Sequence, residues 1–208
     1  MRIEGVQVGK PAVVNGVRTA FGKRAVPWTV HLGRLNLDGD SQADRRYHGG
    51  PDMAVLAYSA DHYRLWRSEL AWPDLPLGAF GENLSVSGAT EETVCIGDLW
   101  VTAESAVLQV ASPRKPCRKI SGYWGRSDLL QRVHESGRIG WYLRVIAEGS
   151  VEAGARISLL ERPHPEWPIR RAFSAALARN RGEARALSEV AALSDRWKAW
   201  LRGEPARV

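Results

Sequence analysis

"CIGDLWVTAESAVLQVAS", residues 95–112, decides the fold class. Its two halves meet near Glu104-Ser105 and are rich in β-branched and large apolar residues. Each half is too short for a stable helix, so the stretch reads as two strands joined by a turn. Working outward, "WYLRVIAEGSVEAGARISLLE" (141–161) offers two more strands, separated by a turn region around Gly149 and Gly154. "MAVLAYS" (53–59) is a short apolar run that reads as a buried strand, and "VVNGVRT" (13–19) carries Asn15-Gly16 as a hairpin turn. Many short strands at this spacing indicate a mainly β sandwich or barrel.

Two segments carry a helical period instead. "SADHYRLWRSEL" (59–70) places Tyr63, Trp66 and Leu70 on one face, with Ser59 as N-cap. "SDLLQRVHESG" (127–137) starts at Ser127, buries Leu129, Leu130 and Val133, and stops at Gly137. After Leu160, the proline-rich "ERPHPEWP" (161–168) reads as a linker into three short helices. Ile169, Phe173 and Leu177 mark the first, an Asn180/Glu183 capping box the second, and Ser194 caps a last helix bearing Trp197 and Leu201. So few residues form a marginal bundle alone, and this segment is expected to dock on the body or on another subunit.

The formal net charge is +6, but residues 161–208 hold ten Lys/Arg against six Asp/Glu, so most of the surplus lies in the tail. With no nucleic-acid-binding motif to match, the basicity does not point to DNA or RNA. The N-terminus has no apolar signal-peptide core, and no run reaches the ~20 apolar residues of a membrane span. Two cysteines are too few for a disulfide scaffold, which indicates a reducing, cytoplasmic setting.

Those two cysteines differ in context. Cys95 sits between Val94 and Ile96, as a small buried strand residue would. Cys117 lies in "SPRKPCRKI" (112–120), between Arg114-Lys115 and Arg118-Lys119, on a loop stiffened by Pro113 and Pro116. Nearby cations favour the thiolate, the nucleophilic and metal-binding form, although strand geometry would turn only some of them toward the sulfur. The local sequence leaves open a reactive cysteine and a solvated basic loop. His48 in "YHGGPD" is followed by Gly49-Gly50, which permit close backbone approach and leave amides free for an anion. No closely spaced metal-ligand set, P-loop or dinucleotide fingerprint is present.

Three blocks read together carry a resemblance: residues 37–63, "GAFGENLSVSGATEETVCIGDLW" (78–100) and "LQVASPRKPCRKI" (108–120), continued by 136–162. In this order they resemble the MOSC domain family, molybdenum-cofactor sulfurase C-terminal domains, and within it the stand-alone bacterial YiiM-like branch. The resemblance implies a MOSC-type β-barrel with peripheral helices over residues 1–162 and a small three-helix segment over 163–208. It implies binding of a molybdopterin-type molybdenum cofactor, with Cys117 as metal ligand and His48 as an acid at the reacting oxygen. Lys23, Arg45, Arg46, Arg114, Lys115 and the Gly49-Gly50 backbone are then candidates for the anionic cofactor, while Glu82 and Asn83 either orient the pterin or brace the loop.

The implied activity is reduction of N-hydroxylated compounds such as 6-N-hydroxylaminopurine to amines, a detoxification. Electrons would come from a separate donor, a flavoprotein reductase, since no flavin or iron–sulfur motif is present. The other reading is a non-redox carrier holding sulfur as a persulfide on Cys117, or delivering cofactor. A third is an inactive adaptor that uses its basic tail. Arg118-Lys119-Ile120 departs from the branch, where an aromatic commonly follows the cysteine, and this bears on the substrate. A homodimer is an option if Trp197 and Trp200 form an exposed face.

Overall fold

The chain is described by a computed structural model over residues 1–44, 46–178 and 181–204. Thirteen strands are formed: β1 (Arg2–Val8), β2 (Ala12–Val14), β3 (Val17–Thr19), β4 (Arg24–Ala25), β5 (Val30–Gly33), β6 (Asn36–Leu37), β7 (Val55–Ser59), β8 (Leu84–Ser87), β9 (Leu99–Thr102), β10 (Val107–Pro113), β11 (Trp141–Ala147), β12 (Gly149–Val151) and β13 (Ile157–Glu161). Among the described residues six α-helices accompany them: α1 (His62–Glu69), α2 (Lys119–Trp124), α3 (Leu129–Ser136), α4 (Ile169–Leu177), α5 (Arg181–Ser188) and α6 (Asp195–Arg202).

The main sheet has the order β13-β9-β10-β11-β7-β8-β1-β4, antiparallel except for the parallel β7–β8 pair. β12-β5-β6 and the β2-β3 hairpin form two small sheets. The expectation of a sheet-dominated body is met. The barrel is not, because among the described residues the strand order is open, with ends at β13 and β4. An isolated bridge, Arg2 to Arg156, with Ile3 N–H donating to Ala155 O, ties β1 to the residues before β13.

Local sequence explains most of these elements. Asn15 and Gly16 both take positive φ, at 48° and 73°, which gives the β2–β3 hairpin the twist its strands need. Ser105 at φ 61° makes the turn between β9 and β10 where the sequence places it. Tyr63 and Trp66 of α1 are buried as their spacing requires, but Ser59 lies in β7 and the N-cap is Asp61, without a side-chain cap bond. Likewise α3 has Asp128 as N-cap, not Ser127, and ends at Gly137 in the left-handed conformation.

The region 141–161 forms three strands rather than two. Gly149 opens β12 instead of turning the chain, because a Cβ there would stand 2.6 Å from Ala106 N and 2.7 Å from Glu104 O. Close approach of two backbones, not a turn, requires the glycine.

The segment read as a linker is packed. Trp167 is buried and its carbonyl accepts from Ile96 N–H at 2.9 Å. The tail helices dock on the body: Ile169, Phe173, Leu187 and Trp197 join the same hydrophobic cluster as Trp66, Trp100 and Trp141. Ser194 caps α6 by accepting from Trp197 N–H at 3.4 Å, and its own N–H donates to Ala111 O at 2.9 Å. Asn180, half of the expected capping box, lies outside the described residues. No helix among the described residues is long and apolar enough to cross a membrane.

Candidate functional site

β10 ends at Pro113, and Arg114 N–H still donates to Gly140 O at 3.0 Å, so the chain leaves the sheet in a fixed direction. Pro116 is buried, and Ile120 N–H returns to Cys117 O at 3.2 Å as α2 begins. The cysteine is thus held on a five-residue bridge between a central strand and a helix. Residues after Cys117 wind into α2 rather than continuing the strand, which brings Lys119 round to the same side as Arg114.

Two cavities share Cys117 in their walls. The inner one, about 100 Å³, is cationic: Lys23, Arg114, Lys115 and Lys119 line it against one acid, Asp40, with Phe21, Met53 and Leu56 among its apolar walls. The outer one, about 720 Å³, lies between the 47–53 loop, the 115–119 segment and α6, and its walls carry Tyr47, Tyr142, Trp197 and Trp200. His48, Gly49, Met53, Lys115, Lys119 and Tyr142 line both. His48 and Cys117, far apart in sequence, meet at this shared mouth.

The cations of the inner cavity are not equivalent. Lys23 and Asp40 form a buried ion pair. The carboxylate is fixed further by Gly9 N–H at 2.7 Å and Asn83 Nδ2 at 3.0 Å. Burial pushes the Lys23 pKa down, and Asp40 opposes the shift. Arg114 is only 5% exposed, and its Nη1 is buried with no acceptor among the described residues. Its guanidinium carbon lies 6.0 Å from the Phe21 ring centre. A buried guanidinium without a carboxylate is costly in a protein unless an anion comes to it. Gly49 and Gly50, at φ 93° and 85°, donate their N–H groups to no acceptor among the described residues. Burial, then the Lys119 and Arg114 charges, depress His48 to about 4, with Asp44 opposing, so the imidazole is neutral at pH 7. Burial raises the Tyr142 hydroxyl, which stays protonated.

The structure does not bring every candidate here. Glu82 is fully buried and lines neither cavity: Tyr63 Oη, Gly78 N–H, Phe80 N–H and Ser85 Oγ all donate to its carboxylate. It braces the 78–85 turn. Asn83 reaches the inner cavity, but its amide is used internally, accepting from Leu56 N–H at 3.1 Å and donating to Gln7 O and Asp40. Arg46 is exposed, lines neither cavity and lays its guanidinium over Tyr47, because the loop turns its side chain outward. Arg45 lies outside the described residues. Gly50 lines only the outer cavity, and the Lys115 ammonium sits 4.2 Å over the Trp200 ring.

Sequence reasoning missed Lys119, Tyr142 and the α6 wall as site residues. Lys119 was legible as the second cation after the cysteine, while nothing local signals Tyr142 or Trp200. Trp197 is buried and Trp200 half-buried against the cavity, so they do not form an exposed dimer face. Cys95 and Cys117 are both free. Cys95 is structural: burial raises its thiol pKa, and Sγ donates to Pro165 O at 3.7 Å. Among the described residues no three His, Cys, Asp or Glu side chains cluster to hold a metal ion.

The chain is similar to known proteins in sequence and in fold. The pattern of the MOSC domain matches residues 44–158. The uncharacterised protein YflK of Bacillus subtilis (strain 168) is 40% identical over 200 residues, covering 93% of this chain and 90% of that one. A protein named "Reductase" from Gibberella moniliformis is 35% identical over 182 residues, or 86% of this chain, which spans only 32% of that relative's length. The crystal structure of YiiM from Geobacillus stearothermophilus superposes with a TM-score of 0.83 at 30% identity, covering 97% of each chain.

Proposed function

The chain belongs to the MOSC domain family, and on that premise we propose that it is a molybdenum-cofactor-dependent reductase of N-hydroxylated compounds, hydroxylaminopurine-like bases among them. The observation that carries this reading is Arg114: a buried guanidinium, its Nη1 without a partner among the described residues, on a residue lining the cavity that also holds the free Cys117. A relative named as a reductase supports the redox part.

The residues fit an anionic, thiolate-binding cofactor. Cys117 offers one soft sulfur ligand, suited to a metal of this kind. Arg114 and Lys119, with the Gly49 amide at the mouth and the Gly50 amide beside it in the outer cavity, receive the anionic group by charge-assisted hydrogen bonds. At about 100 Å³ the inner cavity has room for a terminal anion, so larger parts lie at the shared mouth. Lys23 contributes less net charge because Asp40 already neutralises it. When bound, the cofactor supplies the two-electron redox capacity that side chains lack.

The overall change is R–NHOH + 2 e⁻ + 2 H⁺ → R–NH₂ + H₂O. The chain's own residues manage the protons. His48 is neutral beside Lys119 and Arg114, and an anion near those cations offsets their repulsion and lifts its pKa toward the working range. It is then placed to protonate the departing oxygen, with the Tyr142 hydroxyl a second donor on the same mouth. Electrons come from a separate flavoprotein-type donor, and the free thiols suit a reducing cytoplasm.

The test is metal and pterin analysis of protein from a molybdenum-replete host, with anaerobic reduction of 6-N-hydroxylaminopurine. Near-stoichiometric molybdenum and activity are expected, both lost in Cys117→Ser with the fold intact. Metal-free protein carrying cyanide-labile sulfur would instead make it a persulfide carrier, and undiminished activity of Cys117→Ser would remove the ligand assignment.

A further inference from the structure

We propose that Trp200 of α6 is the stacking surface for the planar, nitrogen-containing ring of the substrate, and so determines specificity in the outer cavity. This rests on the reductase reading above and adds the residue that selects the substrate.

The two cavities divide the chemistry. The inner walls are cationic, and no residue of α6 lines them. The outer walls are mostly apolar by area, from Tyr47, Pro51, Met53, Pro116, Trp197 and Trp200, with Asp52, Arg118, Arg196 and Glu204 also lining the space of about 720 Å³. A concave apolar site with a few polar groups at one end is the usual form of a site for an aromatic small molecule. The polar end here is the shared mouth with Cys117 and His48, so a ring seated in the outer cavity presents its exocyclic group to both.

Trp200 is held as a fixed surface. Its ring meets Trp197 edge-on at a centroid distance of 5.0 Å, and Trp197 is anchored in the core. α6 itself is locked to the opposite wall, since Arg196 donates to Tyr47 O and, at 3.1 Å, to Arg46 O. The helix therefore sets the width of the cleft.

The Lys115 ammonium covers one Trp200 face at 4.2 Å, and both residues line the outer cavity. A cation over an indole marks an electron-rich face open to a polar partner. A planar ring docking there displaces the ammonium. Lys115 also lines the inner cavity, so an anion bound there would give the released ammonium a partner. A lysine shared by two cavities thus couples them: an anion that draws Lys115 inward clears the indole for the substrate.

Calorimetric titration with adenine, the amine product of the 6-hydroxylamino base, tests this on the full-length protein, with stability checked by thermal unfolding. Trp200→Ala should weaken adenine binding by roughly tenfold or more, as base stacking on an indole implies. Trp200→Phe, which keeps a flat ring, should bind within a few-fold of wild type. Lys115→Met should bind at least as tightly as wild type, because the face is already clear. The molybdenum and pterin content of Trp200→Ala should match wild type. Adenine binding that is absent in wild type, or equal in wild type and Trp200→Ala, would overturn the assignment. So would a loss in Lys115→Met as large as in Trp200→Ala. Loss of pterin from Trp200→Ala would give the stacking surface to the cofactor instead. Wild type lacking molybdenum would refute the reductase reading but leave the adenine result standing.

Discussion

Arg114 offers a test in which stability and ligand binding move in opposite directions. Its guanidinium is 5% exposed, with Nη1 unpartnered and the charge 6.0 Å from the Phe21 ring. A buried donor without an acceptor costs about 1–3 kcal/mol. The aromatic contact returns about 0.5–1 kcal/mol. Methionine has a similar reach and fills irregular space well, so Arg114→Met keeps the stem packing while removing the unmet donor. Stability without an anion should stay level or rise by up to about 2 kcal/mol, a shift of several degrees in Tm for a chain of this length. Binding should show the reverse. Pyrophosphate at a hundredfold excess over its Kd should stabilise wild type by about 2.7 kcal/mol, and most of that gain should vanish in Arg114→Met. Thermal unfolding by circular dichroism, in phosphate-free buffer at matched ionic strength, reads both effects. A variant destabilised by more than about 2 kcal/mol, with the wild-type pyrophosphate shift intact, would show that the guanidinium serves packing and that the anion binds elsewhere.

Two further outcomes follow from the same site. His48 falls from 6.5 to about 4 on folding, so the unfolded chain binds the proton more readily. Its contribution is fully present above pH ~6.5 and is lost as pH falls toward 4. Denaturant midpoints at pH 7.5 and 4.5 should therefore diverge more in wild type than in His48→Asn, and equal losses would contradict the assignment. Asp40→Asn strands the buried Lys23 ammonium and should cost about 3–5 kcal/mol, much of it recovered in Lys23→Met/Asp40→Asn. A double variant no more stable than the single one would show that Asp40 acts through Gly9 and Asn83 rather than through the charge.

How far the site could be read from sequence depends on what each residue needs. Arg114, Lys115 and Cys117 stand within four residues on a proline-bounded loop, and His48-Gly49-Gly50 is equally local. Both groups reach the cavities because a short rigid segment carries its side chains wherever its backbone goes. Arg46 stands two residues before His48, and Glu82 stands between Gly81 and Asn83, which both line the inner cavity, yet neither lines a cavity, because adjacency along the chain does not set side-chain direction. The 46–47 turn points Arg46 outward, and four donors draw Glu82 into the core. The start of α2 was hidden because "KISGYW" holds a glycine and β-favouring aromatics, and only packing makes it helical.

By itself the sequence determined the elements whose cause is local. The Asn15-Gly16 hairpin and the Glu104-Ser105 break follow from turn chemistry, and the Gly137 and Ser194 caps from the unmet groups of helix ends. It also determined that Cys117 differs from Cys95, through charge within two residues of the sulfur. Tertiary structure alone decided that Cys117 lines two cavities, the inner one cationic, and that the outer one is walled by a helix from the far end of the chain. That juxtaposition spans 83 residues, from Cys117 to Trp200, and depends on Trp197 and Ile169 burying in the body's core. Long-range burial of this kind is nearly indifferent to sequence separation. No local pattern near Trp200 could show that its ring lines the same cavity as the cysteine.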